Sequence, residues 1–103
     1  MDKIRQNLGY FTESHKDIYD SYKEFGKKVH MDGGPLDEKT RWLVKVSISA
    51  TQRYEYALRT HIQKALTAGC TREEIEHAIL LTAPSSGFPT MMEAIMILRE
   101  ELD

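Results

Sequence analysis

Glycine and proline divide this chain into pieces of helical length, and that division limits its architecture more than any other feature. The interruptions fall at Asp32-Gly33-Gly34-Pro35, at Gly69, and across Pro84-Ser85-Ser86-Gly87-Phe88-Pro89. At such points the backbone turns or loses an amide donor. Between them, apolar residues recur at helical spacing. Ile18, Tyr22, Phe25 and Val29 form one stripe of an amphipathic helix over about 13–30. Asp37, just after Pro35, is a good N-cap for a second helix. The middle of that segment reads two ways. Val44, Val46, Ile48 and Ala50 alternate as a strand would, whereas Leu43, Val46 and Ala50 fit a helical face. No other stretch offers the same alternation as a hairpin partner, so helix is the expectation.

A third segment, about 53–68, carries Tyr54, Leu58, His61, Ile62, Ala65 and Leu66 on one face and stops at Gly69, which suits the left-handed position after a helix. Thr71-Arg72-Glu73-Glu74 is a capping box, with Cys70 and Ile75 placed as its hydrophobic staple. The helix it opens is expected to bury Ile75, Ile79 and Leu80 and to end near Pro84. Pro89 fits the first turn of a last helix, about 89–102, with Met92, Ile95, Met96 and Leu98 on its apolar side. These elements sum to an all-α bundle of one domain, 1–103. The apolar surface of the last two helices is expected to meet another subunit.

Composition narrows the function. The 103 residues carry 14 Lys+Arg against 16 Asp+Glu, a net charge of −2, and the basic residues are interspersed with acidic ones. Nucleic acid is therefore not the expected partner, because phosphate binding needs clustered cations. No apolar run approaches the ~18 residues of a membrane span, and Met1-Asp2-Lys3-Ile4-Arg5 lacks a signal-peptide pattern, so no membrane partner and a cytoplasmic location are expected. A chain this short buries roughly two-thirds of its surface and has little interior for a dinucleotide; no cofactor is expected. One cysteine, Cys70, excludes an intramolecular disulfide, a cysteine-based zinc site and a two-cysteine redox centre within one chain. His15, His30 and His77 show no metal-ligand spacing, and no metal is expected.

Several residues have the chemistry for a site. His61 lies on the apolar stripe of its helix, where an imidazole is either a general acid–base or a core histidine bonded to a carbonyl or hydroxyl. Arg53 has the forked donor geometry to anchor a carboxylate, or it is a solvated surface residue. Ser85-Ser86-Gly87 stands near a helix start, where backbone amides and Ser86 can meet an anion; an ordinary turn is the alternative. Cys70 reads as a small buried apolar residue beside a cap, although a helix N-terminus can also activate a thiol.

Four stretches then stand out together: Leu36-Asp37-Glu38-Lys39-Thr40-Arg41, His61-Ile62-Gln63-Lys64-Ala65-Leu66, Ala68-Gly69-Cys70-Thr71-Arg72-Glu73-Glu74-Ile75, and Gly87-Phe88-Pro89. As a set they resemble the carboxymuconolactone decarboxylase family, which includes the AhpD-like alkylhydroperoxidases. The resemblance covers about residues 36–100, with the helix at about 13–30 as an extension. It implies an AhpD-like helical bundle that assembles as a homotrimer or homohexamer.

The AhpD-like branch is marked by Cys-x-x-Cys-x-x-x-His with a glutamate twelve residues before the first cysteine. Counted back from His61, those positions hold Tyr54, Ala57 and Trp42. Only the histidine survives. Peroxide reduction needs one thiolate to attack and a second thiol to resolve the sulfenic acid, and tyrosine and alanine do neither. Cys70 lies nine residues beyond His61, roughly 13 Å by helical rise, and is a poor substitute.

The decarboxylase branch lacks those cysteines and is nearer in chemistry. By resemblance His61 becomes the proton donor; by chemical argument Arg53 anchors the acid, with Tyr54, Trp42 and Ser86 lining the substrate. Pro84-Ser85 departs from the apolar residue and tyrosine often found there in relatives, and Trp42 brings a large ring to the site. Three readings follow: a cofactor-free lyase acting on a small acidic lactone or related acid in a subunit-interface pocket; a non-catalytic oligomeric binding or structural member; and, last, a peroxidase working through Cys70.

Overall fold

Every stretch with apolar residues at helical spacing forms a helix. In the computed structural model, which describes residues 2–103, no strand occurs among the described residues, and no helix is long and apolar enough to cross a membrane. The all-α expectation holds. The chain forms two compact units, Met1–Pro35 and Leu36–Asp103.

The first unit holds α1 (Asp2–Ser14) and α2 (Lys16–Asp32). Periodicity placed one helix over about 13–30. The structure starts that helix at Lys16 and adds α1 before it, which the sequence reading missed. No glycine or proline marks the break. His15 leaves helical geometry at φ −132° and ψ 49°, yet its amide still bonds Phe11 O at 2.8 Å and its carbonyl accepts from the Tyr19 amide at 2.9 Å. The stripe of Ile18, Tyr22, Phe25 and Val29 forms on α2, but each of the four is more than half exposed and α2 buries no residue.

The second unit holds α3 (Glu38–Gln52), α4 (Glu55–Thr67), α5 (Arg72–Leu80), α6 (Ala83–Ser86) and α7 (Phe88–Leu102). Asp37 caps α3 as expected, its carboxylate accepting from the Thr40 amide at 2.8 Å. The two-sided middle of α3 resolves as helix, because Val46 and Ala50 turn inward while Val44 and Ile48 stay about half exposed. The core gathers Val46 and Ala50 from α3, Leu58, Ile62 and Ala65 from α4, Ile75, Ala78 and Ile79 from α5, and Met91, Ala94, Ile97 and Leu98 from α7. The Ser47 hydroxyl donates to the Ala78 carbonyl at 2.8 Å and ties α3 to α5. Arg59 reaches Glu100 at 2.6 Å and Glu101 at 3.2 Å, tying α4 to the end of α7.

Three expected burials fail. Leu80, Met92 and Met96 are about half exposed, and Met91, Ala94 and Ile97 take the inward side of α7. Apolar residues populate both sides of α7, so periodicity alone could not choose between them. Of Ser85-Ser86-Gly87, expected as a turn, the two serines fall in the short α6, and α5 ends at Leu80 rather than near Pro84.

The join from α4 to α5 is the most legible part of the fold. Gly69 adopts φ +101°. Its amide bonds Leu66 O at 3.0 Å while the Cys70 amide bonds Ala65 O at 2.9 Å, the paired bonds of a Schellman ending. The capping box then opens α5: the Thr71 hydroxyl accepts from the Glu74 amide, and the Glu74 carboxylate accepts from the Thr71 amide at 2.8 Å. That amide is the main reason the Glu74 carboxyl is held below its ordinary range. Cys70 and Ile75, the proposed staple, both lie in the core. A methyl group at Gly69 would meet only the Lys39 side chain, at an ordinary 3.9 Å. Gly69→Ala is therefore expected to destabilise through backbone conformation alone, by about 1–2 kcal/mol in a denaturant titration.

Candidate functional site

α3 and α4 are joined by only Arg53 and Tyr54, so they run antiparallel as a helical hairpin. Trp42, Lys45 and Ser49 follow one another at i, i+3 and i+7 and share one face of α3. His61, half-buried on α4, meets that face. Its ring lies 5.8 Å from the Trp42 ring, centroid to centroid, with the planes 45° apart. Its Nδ1 stands 2.6 Å from the Ser49 hydroxyl and 3.3 Å from the Lys45 carbonyl. Ser49 is 2% exposed, and its hydroxyl also lies 2.8 Å from that same carbonyl.

The other sequence-derived candidates stand elsewhere. Arg53 sits in the α3–α4 turn, whereas His61 is six residues into α4, roughly 9 Å along its axis. The Arg53 guanidinium, 61% exposed, bonds the Glu93 carboxylate of α7 at 2.6 Å. Tyr54, expected on the apolar stripe, is instead the residue before α4 and is more than half exposed. Ser86 ends α6 and is exposed at the α6–α7 corner. Of the proposed set, the structure brings Trp42 and His61 together.

Arg53 has a structural role that charge did not reveal. Its amide bonds Ala50 O at 3.1 Å and the Tyr54 amide bonds Ser49 O at 3.2 Å, the same paired ending seen at Gly69. Here a side chain occupies the left-handed slot, at φ 56°. Strain and salt bridge therefore act oppositely at one residue. Arg53→Gly and Arg53→Ala both lose the Glu93 pair, but only glycine relieves the backbone, so the glycine variant should be the more stable by about 1 kcal/mol. Equal melting temperatures for the two would contradict this.

Cys70 has the surroundings of a structural thiol. It is 4% exposed, its Sγ donates to the Lys39 carbonyl at 3.6 Å, and burial pushes the thiol up from its ordinary value. Those features disfavour a thiolate nucleophile.

Sequence reasoning missed Ser49, the Lys45 carbonyl and Glu93. A signal for the first was present: Ser49 occupies the inward stripe of α3, three residues after Val46 and one before Ala50, where an apolar residue was expected. A serine there implies a buried partner. Glu93 is forty residues from Arg53 and carries no such signal.

A protein of Methanocaldococcus jannaschii described only as uncharacterised is 30% identical over 96 residues, covering 92% of this chain and 91% of its own. An uncharacterised protein of the cox locus of Paracoccus denitrificans is 29% identical over 83 residues, covering 81% and 74%. The fold matches the crystal structure of the apo form of a carboxymuconolactone decarboxylase family protein from Legionella pneumophila, with a TM-score of 0.85 over 97% of this chain and 88% of that one, at 21% identity. The family model for carboxymuconolactone decarboxylases matches residues 16–100, reaching back through α2. The chain belongs to the carboxymuconolactone decarboxylase family.

Proposed function

We propose that the protein is a cofactor-free lyase that removes CO₂ from a small acidic lactone or related acid, with His61 as the proton donor. The observation that carries this reading is the half-buried imidazole under Trp42, held at Nδ1 by Ser49 and the Lys45 carbonyl. In the reaction the bond between the carboxylate carbon and the ring breaks, and CO₂ departs. The electron pair left behind moves into the conjugated lactone carbonyl. The imidazolium then delivers a proton to carbon, and water restores that proton to His61. One proton is consumed per CO₂ released, so no redox partner is needed.

Arg53 would receive the departing carboxylate only by exchanging Glu93 for substrate, which makes it a gate on binding rather than a preformed anchor. Trp42 supplies an apolar wall, and Tyr54 and Ser86 line the approach once a second subunit closes the pocket. The exposed stripe of Phe88, Met92 and Met96, spaced by four along α7, is the surface we assign to that subunit.

A second reading rests on a specific observation as well. The bonds at His61 Nδ1 are also those of a core histidine, and a non-catalytic assembly module would keep them unchanged. Thermal unfolding of wild type and His61→Ala against lactones, carboxylic acids and hydroperoxides separates the two. A ligand present at about 100 times its dissociation constant adds about 2.7 kcal/mol of stability. The lyase reading expects a hit among the acids that His61→Ala weakens, accompanied by CO₂ release. A panel with no hit, or a hit indifferent to His61, would leave the assembly module.

A further inference from the structure

The half-buried Lys and Arg side chains of Leu36–Asp103 have protein partners, with one exception among the described residues. Arg59 meets Glu55, Glu100 and Glu101, Arg72 meets Glu76 and Asp103, and Arg41 donates to the Leu36 carbonyl. Lys45 is half-buried on α3, yet its ammonium has no carboxylate or carbonyl partner among the described residues. Withdrawing a charge from water without a counter-charge costs stability, and lysine is rarely withdrawn unpaired. Its place suggests what the charge is for. Lys45 shares its face of α3 with Trp42 and Ser49, and its carbonyl stands 3.3 Å from His61 Nδ1. Backbone bond lengths then put its Cα within about 6 Å of that nitrogen, a distance its four-carbon stem can span. Arg53 is 61% exposed in the α3–α4 turn and already holds Glu93 at 2.6 Å.

We propose that Lys45 is the preformed anchor for the substrate's carboxylate, and that the site selects a small ring acid over its neutral ester. The proposal deepens the lyase reading and rests on it for the reaction, whereas binding alone tests the anchor. A lone ammonium balances one negative charge, which suits a carboxylate; a phosphate dianion calls for more donors than one lysine supplies. No carboxylate has to leave Lys45 before substrate arrives, unlike Arg53, which must first give up Glu93. An acid held at Lys45 brings its ring against Trp42 and beside His61, the two side chains that already meet across the hairpin. As the bond to the carboxylate carbon breaks, the negative charge leaves that group for the lactone carbonyl. The contact therefore acts on binding more than on the chemical step.

The test uses the chain's single tryptophan, Trp42, whose fluorescence reports on this face of α3. The probes are 5-oxotetrahydrofuran-2-carboxylate and its methyl ester, one γ-lactone with the charge and without it. Wild type should bind the acid at least about tenfold more tightly than the ester, the scale of a charge-assisted hydrogen bond. Lys45→Met, which keeps the bulk of the stem, should weaken the acid to the level of the ester and leave the ester unchanged. Lys45→Arg should restore most of the preference. A wild type that does not prefer the acid overturns the proposal, and that outcome needs no variant to fold. So does a preference that survives Lys45→Met but disappears in Arg53→Met. The melting temperature is a second readout: Lys45→Met removes an unpaired charge and should melt no lower than wild type. A lower melting temperature with an unchanged preference for the acid would make Lys45 a packing residue and overturn its role as anchor. Because binding needs no turnover, a preference that depends on Lys45 without CO₂ release from any acid of the ligand panel would remove the lyase reading and leave the anchor standing.

Discussion

His61→Ala is expected to slow CO₂ release by about 10²–10⁴-fold, the range that a positioned acid–base group contributes. In barrier terms this is about 2.7–5.5 kcal/mol. The expected cost in stability is far smaller. Alanine removes the imidazole, but the Ser49 hydroxyl keeps the Lys45 carbonyl as its acceptor. A loss of about 1 kcal/mol is expected for the bond to Ser49. His61→Asn sharpens the comparison: its amide can bond Ser49 in the ring's place, yet it cannot carry a proton to carbon. The lyase reading expects the asparagine variant to regain stability and none of the rate. An asparagine variant that turns over substrate as wild type does would end it.

How much of this was legible in the sequence depended on the range over which each feature is decided. The ends of α3, α4 and α5 are set by neighbours within a few residues, and Asp37, Gly69 and the Thr71–Glu74 box stand where the sequence placed them. The inward side of α7 is a tertiary choice. Met91 and Met92 are adjacent and chemically identical, and only tertiary packing buries the first and exposes the second. The break at His15 has no glycine or proline to announce it, so α1 went unread.

The site divides along the same line. His61 could be named from the resemblance, and the choice between acid–base and core histidine was posed correctly, since its Nδ1 does meet a carbonyl and a hydroxyl. Which hydroxyl it meets required the register of α3 against α4. Arg53 shows the opposite failure. Residue type drew attention to its charge, whereas the backbone places it at φ 56° in a helix-ending turn and gives its guanidinium to Glu93.

The largest effect on stability should come from Ile62→Ala. Ile62 is 0% exposed on α4, within the core built by α3, α4, α5 and α7. Removing its outer carbons loses their transfer free energy and leaves a cavity that helices on either side cannot fully close, at a cost of about 2–5 kcal/mol. The unit it belongs to spans Leu36–Asp103, a size for which total stability is only about 3–10 kcal/mol. A melting temperature lower by roughly 10–30 °C is expected, and partial unfolding at room temperature is within range. Ile18→Ala makes the informative contrast. Ile18 belongs to the same residue type and sits on an equally regular stripe, but it is 60% exposed on α2, so its loss should cost no more than about 0.5 kcal/mol. A large loss at Ile18 that grows on dilution would mean that a second copy covers the α2 stripe in solution. A small loss at Ile62 would instead contradict the packing on which the placement of Ser49 against His61 depends.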